Sequence, residues 1–199
     1  MSRPQNVEAR ERILKAAFGL MYARGFKSVS MDDVAEAAGM KKANLFHYYP
    51  TKESLGLAVF DFASSQMREK LAARFAQGDD PIELVESMFS EVAEGMEASC
   101  CRGGCFIGNL AQELSDHFEK MRVKVSSHLK DWTAQLAGSL EKARVRGYFR
   151  KDMKCRESAE AILSLFEGAT LFCKANKEVK PLENAREMAV SYLKGYKKL

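Results

Sequence analysis

"GFKSVSMDDVAEAAGMKKANLFHYYPTKESL", residues 25–55, decides the fold. Ser30 followed three residues later by Asp33 is a capping-box-like start, so Met31 opens a short helix that runs to about Ala38. Gly39 supplies a turn residue at ease at positive φ, and a second short helix follows over roughly 41–48. A helix-turn-helix needs a small residue where its second helix crosses its first, and Ala35 stands at that offset. Val34, Met40, Leu45 and Tyr48 fill the apolar positions that pin the pair to a third helix. An ordinary helical hairpin does not require all of these residue types at fixed offsets.

The same stretch resembles the DNA-binding segment of the tetracycline-repressor (TetR) family of bacterial regulators. There a helix-turn-helix ends in an aromatic-x-Tyr-aromatic group followed by a Ser/Thr-Lys-Glu helix start, matched here by Phe46 to Tyr49 and by Thr51-Lys52-Glu53. The likeness covers about residues 8–60. It implies a homodimer whose N-terminal helices bind an operator in double-stranded DNA. A larger helical domain would then hold a small-molecule effector and the dimer interface. One position departs from the pattern: where that family often caps the recognition helix with Ser or Thr, this chain has Lys41, which cannot cap.

Residue chemistry divides the expected DNA face. Lys42, Ala43, Asn44 and His47 fall on the side of the second helix opposite Leu45, with Phe46 or Tyr48 expected to face partly inward. Lys42 suits guanine acceptors or phosphate, Asn44 suits adenine, and Ala43 admits the backbone or a thymine methyl. His47, Tyr48 and Lys52 suit the sugar-phosphate backbone, and the backbone N–H of Ser30 can serve a phosphate from a helix start. Lys41 is the further candidate. Charge agrees with this placement: residues 1–52 carry nine Lys/Arg against five Asp/Glu, and the remainder is balanced, so the whole formal charge of +4 lies there.

Outward from this segment the chain reads as all-α: a helix-turn-helix domain over 1–52 and a larger helical domain over 53–199. A first helix ends at Arg24-Gly25, a fourth starts at Pro50-Thr51 and includes Leu71 and Phe75, and a fifth starts after the turn Gly78-Asp79-Asp80-Pro81. A long helical pattern from Phe106 to Leu140 divides near Ser115-Asp116 and ends at Gly147. Two last helices, about 155–177 and 182–196, are split by Pro181. Small residues in the first of these (Ala159, Ala161, Ser164, Gly168, Ala169, Cys173, Ala175) allow close helix approach. With the family likeness, they place the dimer interface on the last two helices.

The middle helices are the expected home of an effector pocket, with Phe62, Met67, Phe89, Phe106, Leu110, Trp132 and Phe166 among its walls. "CCRGGCFIGNLAQEL", residues 100–114, is the sharpest feature there. Gly103-Gly104 should start a helix with Cys105 in its first turn, where the macrodipole and Arg102 would lower the thiol pKa. Cys100 and Cys101 are near enough in sequence to resolve an oxidised Cys105. The segment resembles a TetR subgroup with Gly-Cys before apolar residues, some of whose members sense electrophiles or oxidants. The alternative is a packed cysteine beside a reversible-ligand pocket.

Several classes are set aside. The Cys-Cys-x3-Cys spacing with no nearby histidine does not suit zinc, and no cofactor is expected. No apolar run spans a membrane, and neither a signal segment nor a disulfide spacing is present in the sequence, which points to the cytoplasm. The alternative kept beside the regulator is a helical thiol enzyme using Cys105 with His117 or His128 as base, which leaves the helix-turn-helix unexplained. A third is a helical interaction protein with no DNA role.

Overall fold

The computed structural model describes residues 3–77 and 80–198. Among them the chain forms nine helices: α1 Arg3–Arg24, α2 Met31–Ala37, α3 Lys42–Tyr48, α4 Lys52–Gln77, α5 Pro81–Ala98, α6 Phe106–Leu114, α7 Glu119–Val145, α8 Cys155–Asn176 and α9 Lys180–Lys194. The all-α reading holds. A single antiparallel bridge, Phe149 with Lys197, is the one strand-like pairing among these residues.

Local chemistry sets most boundaries. Gly25 at φ +85° donates its N–H to Met21 O at 2.9 Å and ends α1. Asp80 caps α5 by accepting from Ile82 N at 2.8 Å, with Pro81 in the first turn. The long pattern breaks over 115–118, between α6 and α7, and Gly147 at φ +83° follows α7. Pro181 does not separate two helices: α9 begins at Lys180 and takes Pro181 into its first turn, where a missing N–H costs nothing. Leu71, Phe75, Gly78 and Asp79 lie outside the residues whose side chains or placement are described.

The chain divides into two compact units. One comprises Met1–Glu69 with Asn109–Val125, and the other Lys70–Gly108 with Ser126–Leu199. In the first, Ile13, Ala17 and Met21 of α1 are buried with Phe26, Val29, Val34, Leu45, Leu55 and Val59. In the second, α9 packs against both α5 and α8 around one hydrophobic core that includes Val85, Phe89, Leu140, Phe149, Ala159, Leu182 and Leu193. Ser158 Oγ and Tyr192 Oη share a hydrogen bond of 2.9 Å, and Arg186 donates to Ser90 Oγ at 3.1 Å, so polar ties supplement that core. No described helix is long and apolar enough to cross a membrane.

Candidate DNA-binding site and cysteine segment

The helix-turn-helix is built from both of its ends. Ser30, extended at φ −93°, ψ 164°, accepts from Asp33 N at 3.1 Å, while Asp33 accepts from Ser30 N at 2.7 Å. This reciprocal box satisfies the first orphan donors of α2. The Ser30 side chain and backbone hold the Asp33 carboxyl below its usual range. The turn follows from Gly39 at φ +61°, with Met40 N donating to Ala35 O at 3.0 Å. Arg12 Nε reaches across from α1 to Ala38 O at 2.9 Å and ties off the end of α2.

Leu45 is fully buried and fixes α3, a contribution of about 1.5–3 kcal/mol for a large aliphatic side chain. Lys42, Ala43, Asn44 and His47 are exposed, as is Lys41 before them, and Ser30 is exposed at the start of α2. Lys41 is the N-cap residue, extended at φ −71°, ψ 141°, and makes no side-chain cap bond. Tyr49 is buried and Tyr48 half-buried, its ring 5.9 Å below the Arg10 guanidinium. Phe46 is 37% exposed, so its ring is partly covered beside the fully buried Leu45, and Tyr48 is half-buried as well. The Phe46 ring lies 6.0 Å from Lys42 Nζ. Lys42 also pairs with Asp32 at 2.8 Å, an exposed contact of small worth.

Lys52 is less free than a surface phosphate contact implies. Its Nζ donates to Lys27 O at 3.0 Å and sits 4.8 Å over the Phe26 ring. The same turn is held from another side by Glu113 of α6, which accepts from Phe26 N at 2.8 Å and Lys27 N at 2.6 Å. A Cβ at Gly25 would meet Glu113 Oε2 at 3.2 Å, and one at Gly56 would collide with the Phe26 ring. Glu113 was not legible from the sequence, since its partners lie 86 and 87 residues away.

In the second unit, the segment after α5 turns on left-handed residues: Cys100 (φ 51°), Cys101 (φ 54°), Gly103 (φ 83°) and Gly104 (φ 81°). For the glycines this is unstrained, but each cysteine costs about 1–2 kcal/mol there. Cys100 is exposed; Cys101 is buried, with its carbonyl accepting from Lys177 Nζ at 3.3 Å. The helix begins at Phe106, so Cys105 precedes the first turn rather than lying within it. Its Sγ accepts from Gly108 N at 3.4 Å in the manner of a cap. The low thiol pKa expected from the sequence is not supported: part of Cys105 remains exposed, but the surroundings of its sulfur act in the opposite direction. Burial, followed by the charge and hydrogen bonding of Glu167 on α8, pushes the Cys105 thiol well above its ordinary value, and the N–H groups of Gly108 and Ile107 do not offset this.

The expected pocket walls are spread over both units. Phe62, Met67 and Leu110 belong to the first, where Phe62 lies edge-on to Phe18 at 6.5 Å, Met67 is half-buried and Leu110 is buried. Phe89, Phe106, Trp132 and Phe166 belong to the second. There the Phe166 ring takes Phe89 at 5.3 Å and Trp132 at 5.5 Å, both edge-on, so these three close on one another as packed core. Phe106 is buried. Among the described residues no group of His, Cys, Asp and Glu is disposed to hold a metal.

Comparison with known proteins decides the family. Residues 13–59 match the model for bacterial regulatory proteins of the tetR family, and residues 81–189 match the tetracyclin repressor-like C-terminal domain. The chain belongs to the TetR family. It is therefore a DNA-binding transcriptional regulator, and the thiol-enzyme alternative finds no support among its relatives. The transcriptional regulator AcuR of Cereibacter sphaeroides is 27% identical over 88% of this chain and 81% of its own. The HTH-type transcriptional repressor NemR of Escherichia coli K12 is 23% identical over 93% and 94%. Among solved structures, a regulatory protein TetR from Rhodobacter sphaeroides superposes with a TM-score of 0.85 at 25% identity, covering 92% of this chain and 98% of that one. Reduced E. coli NemR superposes at 0.81 and 22% identity over 96% and 97%, a likeness of fold.

Proposed function

We propose that this TetR-family regulator is a cytoplasmic repressor that binds a palindromic operator as a homodimer and is released by a small molecule or by modification of Cys105. The exposed row Lys42, Ala43, Asn44 and His47, opposite the buried Leu45, carries the reading, because it leaves base-reading side chains outward on a rigidly seated helix. Lys42 and Asn44 serve bases, with Ala43 allowing close approach. Ser30, Lys41, His47, Tyr48 and Lys52 serve the backbone. Residues 1–52 form the reading segment and 53–199 the effector and dimerisation segment, the DNA-bound protein being associated with the nucleoid.

The dimer reading rests on apolar exposure. Leu171 and Phe172 on α8 and Met188 and Tyr192 on α9 are 44–66% exposed, large side chains on two adjacent helices. Ala161, Ser164 and Ala175 of the small-residue series are exposed on α8 as well, while Ala159, Ala169 and Cys173 face the core. Two such faces brought together by a twofold axis would bury both.

The repressor NemR supports repression, and the partial exposure of Cys105 on the loop before α6 supports a thiol route for the effector. The test uses purified protein on a duplex enriched from a randomised pool, with and without an electrophile or peroxide, for the native chain and Cys105→Ser. The native chain should dissociate under treatment and the variant should stay bound. Equal release of both would remove the thiol route and leave a reversible ligand.

A further inference from the structure

Three groups converge on one point of α6. Gly108 donates its N–H to Cys105 Sγ at 3.4 Å. Glu167 of α8 lays its carboxylate against the bare Cα of Gly108, so closely that any Cβ there would collide with Oε2 and lie 3.5 Å from the Cys105 Cβ. The other carboxylate oxygen, Oε1, is buried with no hydrogen-bond partner among the described residues. Burial acts on this acid first, opposed by its hydrogen bond with Cys105, while Lys174 lies alongside Gly104 and Arg102 is exposed on the loop. From α6 the sulfur meets the backbone N–H groups of Ile107 and Gly108. A glycine at 108 therefore admits an acid beside a thiol, in a place where a second negative charge is costly.

We propose that Glu167 is a positioning residue that gates Cys105: its carboxylate, seated on Gly108, holds the sulfur as a neutral thiol, and electrophiles react rapidly only when that carboxylate is neutralised or moved. The inference rests on the reading of Cys105 as the sensor. Burial raises the pKa of Glu167, with a smaller opposing pull from the Cys105 hydrogen bond, and the charge of Glu167 in turn raises the thiol. In the reaction the thiol first loses its proton to solvent. The thiolate then adds to the β-carbon of an electron-poor alkene, forming the S–C bond. The π pair moves to the neighbouring carbonyl as an enolate, which takes up a proton from solvent. The step that Glu167 opposes is the first one. Its charge stands beside the new thiolate.

The test is the rate of iodoacetamide alkylation at the Cys105 peptide, followed by mass spectrometry on the free, full-length protein from pH 6 to 10. Native protein, Glu167→Gln and Gly108→Ala are compared, with circular dichroism to confirm that each is folded. Both variants should react faster, with the midpoint of the pH–rate profile moved down; one pH unit corresponds to about tenfold more thiolate below the midpoint. Gly108→Ala acts by pushing the carboxylate aside while leaving its charge on the chain. Unchanged or slower alkylation of folded Glu167→Gln, with an unmoved midpoint, would overturn the gate. The rate is read without DNA, so the result stands apart from whether modification releases the operator.

Discussion

Lys52 shows how one side chain can serve two masters. Its ammonium holds the Lys27 carbonyl at 3.0 Å and covers the Phe26 ring, so it orders the turn after α1 while it offers charge at the start of α4. Lys52→Ala should weaken binding to all duplexes alike and flatten the dependence of log affinity on log salt by roughly one unit. Titrations at several salt concentrations on specific and unrelated DNA check this. A change confined to the preferred sequence would place Lys52 on a base. Cys105 teaches the opposite lesson at the same scale. From its neighbours in sequence it reads as an activated thiol at a helix start, but burial, followed by Glu167 from a helix far along the chain, pushes the other way.

Among elements, α6 gathers the contacts that sequence patterns cannot reveal. Cys105 caps its beginning and Glu113 near its end holds the N–H groups of Phe26 and Lys27. Glu113→Ala should expose those two amides. Each bond to a charged acceptor is worth about 1.5–3 kcal/mol, so their hydrogen exchange should speed up by tenfold or more. Unchanged protection would mean that the turn is held by Lys52 and packing alone. The helices themselves were largely legible, because caps and turns are local: Ser30 with Asp33, Gly25, Gly39, Pro81 and Gly147 each act within a few residues. The division into two last helices was legible too, with Pro181 inside the first turn of α9 rather than in the gap before it. The exposed row of α3 was legible through Leu45, whose burial fixes the opposite side of the helix. Glu113 and Glu167 were not, because a carboxylate facing a distant backbone or thiol leaves no periodic trace.

For the whole molecule, the excess charge and the exposed apolar face of the last two helices lie in different parts of the chain. The excess positive charge belongs to residues 1–52, and the large exposed apolar side chains of α8 and α9 belong to the other end. That separation suits a protein that meets phosphates with one part and its own copy with another. A twofold dimer carrying α3 in each copy should prefer an inverted repeat. Selection of duplexes from a randomised pool by purified protein, repeated with Asn44→Ala, tests this most directly. The native chain should enrich an inverted repeat, and Asn44→Ala should relax one base position in each half-site by about 1–3 kcal/mol while the protein stays folded. No enrichment, or an identical site preference for the variant, would contradict the assignment of α3 as the reading helix.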